Sequence, residues 1–157
     1  HLVPEAEVDP RAQEFIRQIL SRDRAAPYTT HFQSDDPLQG VALLESLRNG
    51  GIVAVQGDRP RTGGRNLPTT LFGRAFPLPA GPAALARSAR VPLVPIFVLR
   101  EGRRRYRVVV REPIEVSRTA DRDGDLRQAM QRVAGDIEWA IRERPHQWFC
   151  FRDVFGP

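Results

Sequence analysis

Residues 52–55, the apolar run IVAV, lead directly into Gly57, Asp58 and Arg59, and the chain continues through Arg61, Gly63, Gly64 and Arg65. Open α/β sheets bind ligands outside the carboxyl ends of their strands, so a strand that releases charge at its exit makes this stretch the candidate site. Arginines spaced along a glycine-rich loop can clamp a phosphate or carboxylate through paired N–H groups, and adjacent glycines let backbone amides approach an anion. Asp58 can position an acceptor or balance an arginine, and its short side chain can equally close the turn after the strand. The arginines have a plain alternative as well, a solvated loop in an arginine-biased chain. A second constellation is His31 with Asp36, spaced as HxxxxD in HFQSDD. In such a pair the carboxylate orients an imidazole, which takes the proton from an attacking hydroxyl. Asp36 followed by Pro37 and an apolar helical run reads more simply as a helix N-cap with proline in the first turn.

These residues need elements to hold them, and the pattern along the chain favours α/β architecture with one mixed sheet flanked by helices. Asp9 and Pro10 start a helix whose apolar stripe is Ala12, Phe15, Ile16, Ile19 and Leu20. Residues 28–32 read as a short strand, residues 37–49 as a helix stopped by Gly50 and Gly51, and residues 52–55 as a buried strand. Residues 57–70, with three glycines, two prolines and three arginines, read as a loop that is mobile until filled. A helix rich in alanine follows at residues 81–90, its small side chains allowing close approach to the sheet. Residues 94–100 and 106–111 read as an antiparallel pair joined through Glu101, Gly102 and Arg103, with residues 103–105 in a solvated turn. The last helix, residues 124–142, carries Leu126, Met130, Val133, Ile137 and Ile141 on one stripe, with Trp139 opposite. Trp139, Trp148, Phe149, Phe151 and Phe155 are read as a tail that folds back and packs, the alternative being a lipid headgroup boundary beside Arg142, Arg144 and Arg152. Arg74 and Arg87 rank lower as ligand contacts, and His146 is read as a local hydrogen-bonding residue. No repeat or low-complexity linker interrupts residues 1–157, so one domain is the simplest division.

The order of the pieces resembles the lysophospholipid acyltransferase superfamily, and within it the bacterial lipid A lauroyl/myristoyl acyltransferase branch. The residues that carry the resemblance are Asp58 in its loop, LFG at residues 71–73, the small-residue helix beginning at Gly81, VPLVP at residues 91–95, and Pro145, Gln147 and Trp148 as a closing PxQW. The resemblance covers roughly the last two thirds of the chain and implies a glycerolipid acyltransferase-like fold. It also implies acyl transfer from an acyl carrier protein or coenzyme A thioester to a hydroxyl on a glycolipid, with no metal or redox cofactor. By that resemblance Asp58, Arg59, Arg61, Gly63, Gly64, Arg65 and Gly81 bind substrate. Relatives carry HxxxxD or HxxxxE well upstream of the acid-bearing loop, whereas His31 lies close before it. The chain also opens on HLV where a natural start would be Met. The expectation is therefore the C-terminal part of a longer enzyme, incomplete and inactive by itself.

Composition sets the bounds. A chain of 157 residues with 41% hydrophobic content supports a real core. All 24 basic residues are arginine and the net charge is +5, with a pI near 10.8. That charge favours acidic partners: anionic headgroups, phosphorylated sugars, an acidic carrier protein or nucleic acid. A nucleic-acid-binding module is the second reading, but the arginines are dispersed and no recognition helix or RNP-like aromatic motif appears. A catalytically dead interaction domain is the third. The lone Cys150, between Phe149 and Phe151, reads as a buried, inert thiol in a reducing compartment. The longest apolar run, residues 91–99, is short and holds two prolines, so membrane contact is expected to be peripheral, on the cytoplasmic face of a bacterial inner membrane.

Overall fold

The computed structural model describes residues 2–3, 9–12, 14–15, 18, 37–60, 64–150 and 155. The expected strand at residues 28–32, along with His31, Asp36, Arg61, Gly63, Phe151 and Arg152, lies outside them. The chain forms two compact units, residues 1–56 and 57–157. Their architecture is α/β, with strands arranged as two-stranded ladders among the described residues.

In the first unit, Asp9 Oδ1 accepts the Arg11 N–H at 2.8 Å, the bond an N-terminal carboxylate makes to a donor lacking an intrahelical partner. Strand β1 (Leu2–Val3) pairs in parallel with β2 (Ala54–Val55). Helix α1 (Pro37–Arg48) stops as its glycines dictate. Gly50, at φ +81°, donates to the Leu47 carbonyl, and Gly51 donates to the Ser46 carbonyl at 2.9 Å. These crossed bonds satisfy carbonyls that the helix leaves open. The buried strand expected at 52–55 is corrected. Only residues 54–55 enter a ladder, and Ile52, which precedes it, is 81% exposed.

The second unit has its own core. Two ladders open it: β3 (Asn66–Leu67) pairs antiparallel with β6 (Leu78–Pro79), and inside them β4 (Thr70–Leu71) pairs with β5 (Arg74–Ala75). The loop expected over 57–70 therefore ends early, because Leu67 and Thr69 are buried. LFG forms the inner hairpin's turn. Phe72 and Gly73 have φ +52° and +73°, the left-handed pair whose twist matches that of the flanking strands.

Helix α2 (Gly81–Ala89) and helix α3 (Arg122–Glu143) bury facing small and apolar side chains. Ala83 and Ala86 of α2 share one core with Leu126, Ala129, Met130, Ala134 and Ile137 of α3, so the alanines serve close packing in a core shared with another helix as well as with strand residues. The hairpin of β7 (Ile96–Gly102) and β8 (Arg105–Val110) turns through Arg103 and Arg104, with Arg104 at φ +58°. Trp139 is half-buried and meets the Phe97 ring edge at 5.9 Å, while the Arg111 guanidinium lies 4.4 Å from its centroid. Phe76, fully buried, receives Trp148 at 6.1 Å and Phe155 at 5.7 Å. Packing thus accounts for Trp139, Trp148 and Phe155, whereas Phe149 is exposed. Cys150 is half-buried instead of buried.

Candidate functional site

Gly57 to Pro60 leave β2 in sequence and open the second unit. A Cβ placed on Gly57 would lie 3.8 Å from Pro82 Cγ, so this turn rests against the first turn of α2. Arg65 approaches the same helix end, its carbonyl accepting the Ala80 N–H at 2.9 Å. The two contacts bracket Gly81, whose Cα faces open space. Helix α2 begins with no side-chain cap and no acidic residue in its first turn. The helix dipole and the amides of that turn favour an anion there.

Asp58 and Arg59 face each other at this place. Arg59 Nη2 donates to Asp58 Oδ2 at 2.6 Å, and Nε lies 3.3 Å from both carboxylate oxygens. Their side chains are 40% and 31% exposed. An ion pair so accessible contributes about 0–1 kcal/mol. Arg65 is directed elsewhere: its Nη2 donates to Asp123 Oδ1 of α3 at 2.8 Å. That hydrogen bond and the guanidinium charge hold the Asp123 carboxyl below its ordinary range. Gly64 adjoins Arg65 and is half-buried. The structure therefore sets Gly57 and the Arg65 main chain against the start of α2, pairs Asp58 with Arg59 in the turn that follows Gly57, and gives the Arg65 side chain to α3.

Among the described residues, the lower-ranked arginines Arg87 and Arg74 have structural partners. Arg87 donates to Asp125 Oδ2 at 3.0 Å and to the carbonyls of Ser117 and Thr119. Asp125 also accepts the amide and hydroxyl of Thr119, each at 2.8 Å. Burial pushes the Asp125 carboxyl up, but the hydrogen bonds from Thr119 and Arg87 outweigh it and the net shift is downward. Arg74 lies 4.7 Å from the Phe155 ring centroid. His146 is exposed in the 3-10 turn Pro145–Gln147.

Two side chains that the sequence reading did not name, and one that it named only within PxQW, clasp main chain inside the second unit. Gln131 Oε1 accepts the Thr70 N–H at 2.8 Å, and its Nε2 donates to the Thr70 carbonyl at 3.1 Å. Glu138 Oε2 accepts the Phe72 N–H at 2.8 Å. Gln147, quoted only as part of PxQW, makes the same double bond to Arg100, its Oε1 and Nε2 each 2.8 Å from the main chain. The legible signal was spacing: Gln131 and Glu138, seven residues apart, fall on one face of α3.

The profile of the bacterial lipid A biosynthesis acyltransferases matches residues 15–155. Comparison with curated proteins finds no match to this chain. The matched span takes in the turn at Asp58, the LFG hairpin, the uncapped start of α2 and the Gln147 clasp, and on that ground the chain belongs to the bacterial lipid A biosynthesis acyltransferase family.

Proposed function

We propose that this chain contributes the anion-receiving half of a site that moves a fatty acyl group from an acyl carrier protein or coenzyme A thioester to a glycolipid hydroxyl. The observation that carries the proposal is the contact of Gly57 and the Arg65 carbonyl with the open start of α2, with the accessible Asp58–Arg59 pair next in the chain after Gly57. A phosphate of donor or acceptor would take the Arg59 guanidinium and the α2 amides, and Asp58, released from the ion pair, would set the orientation of the turn. Gly81 keeps the approach to the backbone open. No metal or redox chemistry enters this reading.

The proton-abstracting histidine of this scheme is supplied by polypeptide outside the sequence, because the only HxxxxD match is His31 with Asp36, on a segment that reads as a helix start. The chain alone would then bind without turnover. A net charge of +5, carried entirely by arginine, suits peripheral work on anionic lipid at the cytoplasmic face of the inner membrane. Incubating the chain with an acyl thioester and a phosphorylated glycolipid, with product followed by mass spectrometry, is expected to show no acylated product. Turnover that disappears in His31→Ala would instead install His31 as the base.

A further inference from the structure

Strands β3 to β6 share one register. Asn66 stands across from Pro79, Leu67 from Leu78, Thr70 from Ala75 and Leu71 from Arg74. Between the two ladders the Thr69 carbonyl accepts the Phe76 N–H at 2.8 Å, and before them the Arg65 carbonyl accepts the Ala80 N–H at 2.9 Å. The four strands are therefore one hairpin, broken as a ladder only where Pro68 meets Pro77, two residues with no N–H to give. One face carries Leu67, Leu71, Phe76 and Leu78 into the core. On the other, Pro68 and Ala75 are exposed and Pro77 and Pro79 half-buried, while Asn66 turns its amide to the Gly64 carbonyl and Thr70 its hydroxyl to Gln131. The outward surface is thus a strip of proline and alanine. At a strand's rise of about 3.3 Å per residue, its course from Arg65, beside the start of α2, to Phe72 spans roughly 20 Å.

Phe72 closes the far end under strain. A two-residue turn of this kind favours asparagine before glycine, whereas an aromatic residue at φ +52° is an outlier. Helix α3 holds it there: Glu138 accepts its N–H at 2.8 Å, and Arg142, bonded to Glu138 at 2.7 Å, lies 5.1 Å from the ring centroid. Phe72 remains 37% exposed, so core packing does not explain the choice of residue. A strained side chain that its surroundings over-determine points to a function. A peptide added along this edge would find its partners taken, since Gln131 binds both main-chain groups of Thr70 and Glu138 binds the Phe72 amide. A hydrocarbon needs no such groups and is received by proline, alanine and an aromatic ring. The geometry points to this strip as the bed of a saturated chain whose phosphate-bearing head sits at the start of α2, with Phe72 meeting the chain's far end and setting its length. This rests on the anion-receiving reading of that helix start and adds the hydrocarbon to it.

Titration of the chain with alkyl phosphates, kept below their micelle concentrations, tests it. Dodecyl phosphate is expected to bind about tenfold more tightly than butyl phosphate. Phe72→Asn supplies the residue that the turn favours, so it should keep or raise the melting temperature and leave butyl phosphate affinity unchanged, while lowering dodecyl phosphate affinity about fivefold. Butyl phosphate binding with no gain from the longer chain would overturn the hydrocarbon strip and leave the anion reading standing; binding of neither would overturn both. A chain-length gain that survives in Phe72→Asn would also overturn the proposal, because the hydrocarbon would then lie elsewhere. The same comparison with myristoyl 4′-phosphopantetheine and with a phosphorylated glycolipid tells whose chain it is. A loss in Phe72→Asn for the thioester assigns the strip to the donor and a loss for the glycolipid assigns it to the acceptor, whereas a loss for neither would overturn the proposal.

Discussion

Arg59 holds an accessible ion pair to Asp58, its neighbour in the chain, and Gly57 of the same turn rests against the first turn of α2. Removing it should cost a charged hydrogen bond, about 1.5–3 kcal/mol, or roughly tenfold to a hundredfold in affinity for a phosphate-bearing acyl donor, with the thermal midpoint unchanged. Isothermal titration of Arg59→Ala checks this; equal affinities would remove the residue from the site. Asp125 predicts the opposite outcome. Its bonds to Arg87 and Thr119 lie inside the second unit, so Asp125→Asn should lower the melting temperature without touching donor binding. The carboxyls of Asp125, Asp123 and Glu138 sit below their ordinary range. The stability they supply is complete at neutral pH. It is lost as pH falls through about 4, where the unfolded chain takes up protons first, down to the lower folded values. Acid unfolding of Asp125→Asn should accordingly depend less steeply on pH than that of the native chain; identical slopes would contradict this.

At the scale of elements, the sequence shows what periodicity and punctuation encode and hides what contact decides. Helix α1 is legible from Pro37 and the Gly50–Gly51 stop, α3 from its apolar stripe, and β7–β8 from two apolar runs on either side of a charged turn. Strands β3 to β6 are two residues long and carry no period, so the LFG turn was found by resemblance and not by pattern. Asp58, Arg59 and Gly81 could be named from residue type. That Arg65 would turn to Asp123 could not, because the partner lies 58 positions away and depends on the α3 start reaching the loop. The same holds for the glutamine clasps. Gln147→Ala forfeits two bonds to Arg100 and should cost about 1–2 kcal/mol in urea unfolding. Gly73→Ala, at φ +73°, should cost about 1 kcal/mol by forcing a Cβ into left-handed backbone. A stabilised or unchanged Gly73→Ala would mean that the I′ turn does not persist in solution.

For the whole molecule, the decisive feature is that residues 57–157 carry their own core, from Leu67 to Phe155, together with the turn, the hairpins and α2. A fragment of those residues is expected to unfold in one cooperative transition, which far-ultraviolet circular dichroism would show; a gradual melt would contradict it. The family match spans both units, whereas the proposed anion contacts fall in the second. The central claim is that Gly57 to Arg59 and the first turn of α2 receive the anionic group of an acyl-transfer substrate. The most direct test is a titration of the isotope-labelled chain with a 4′-phosphopantetheine thioester, followed by backbone amide chemical shifts. Saturable shifts confined to residues 57–59, 81, 83 and 84, and abolished by Arg59→Ala, are predicted. Shifts that leave those amides still while others move would contradict the account.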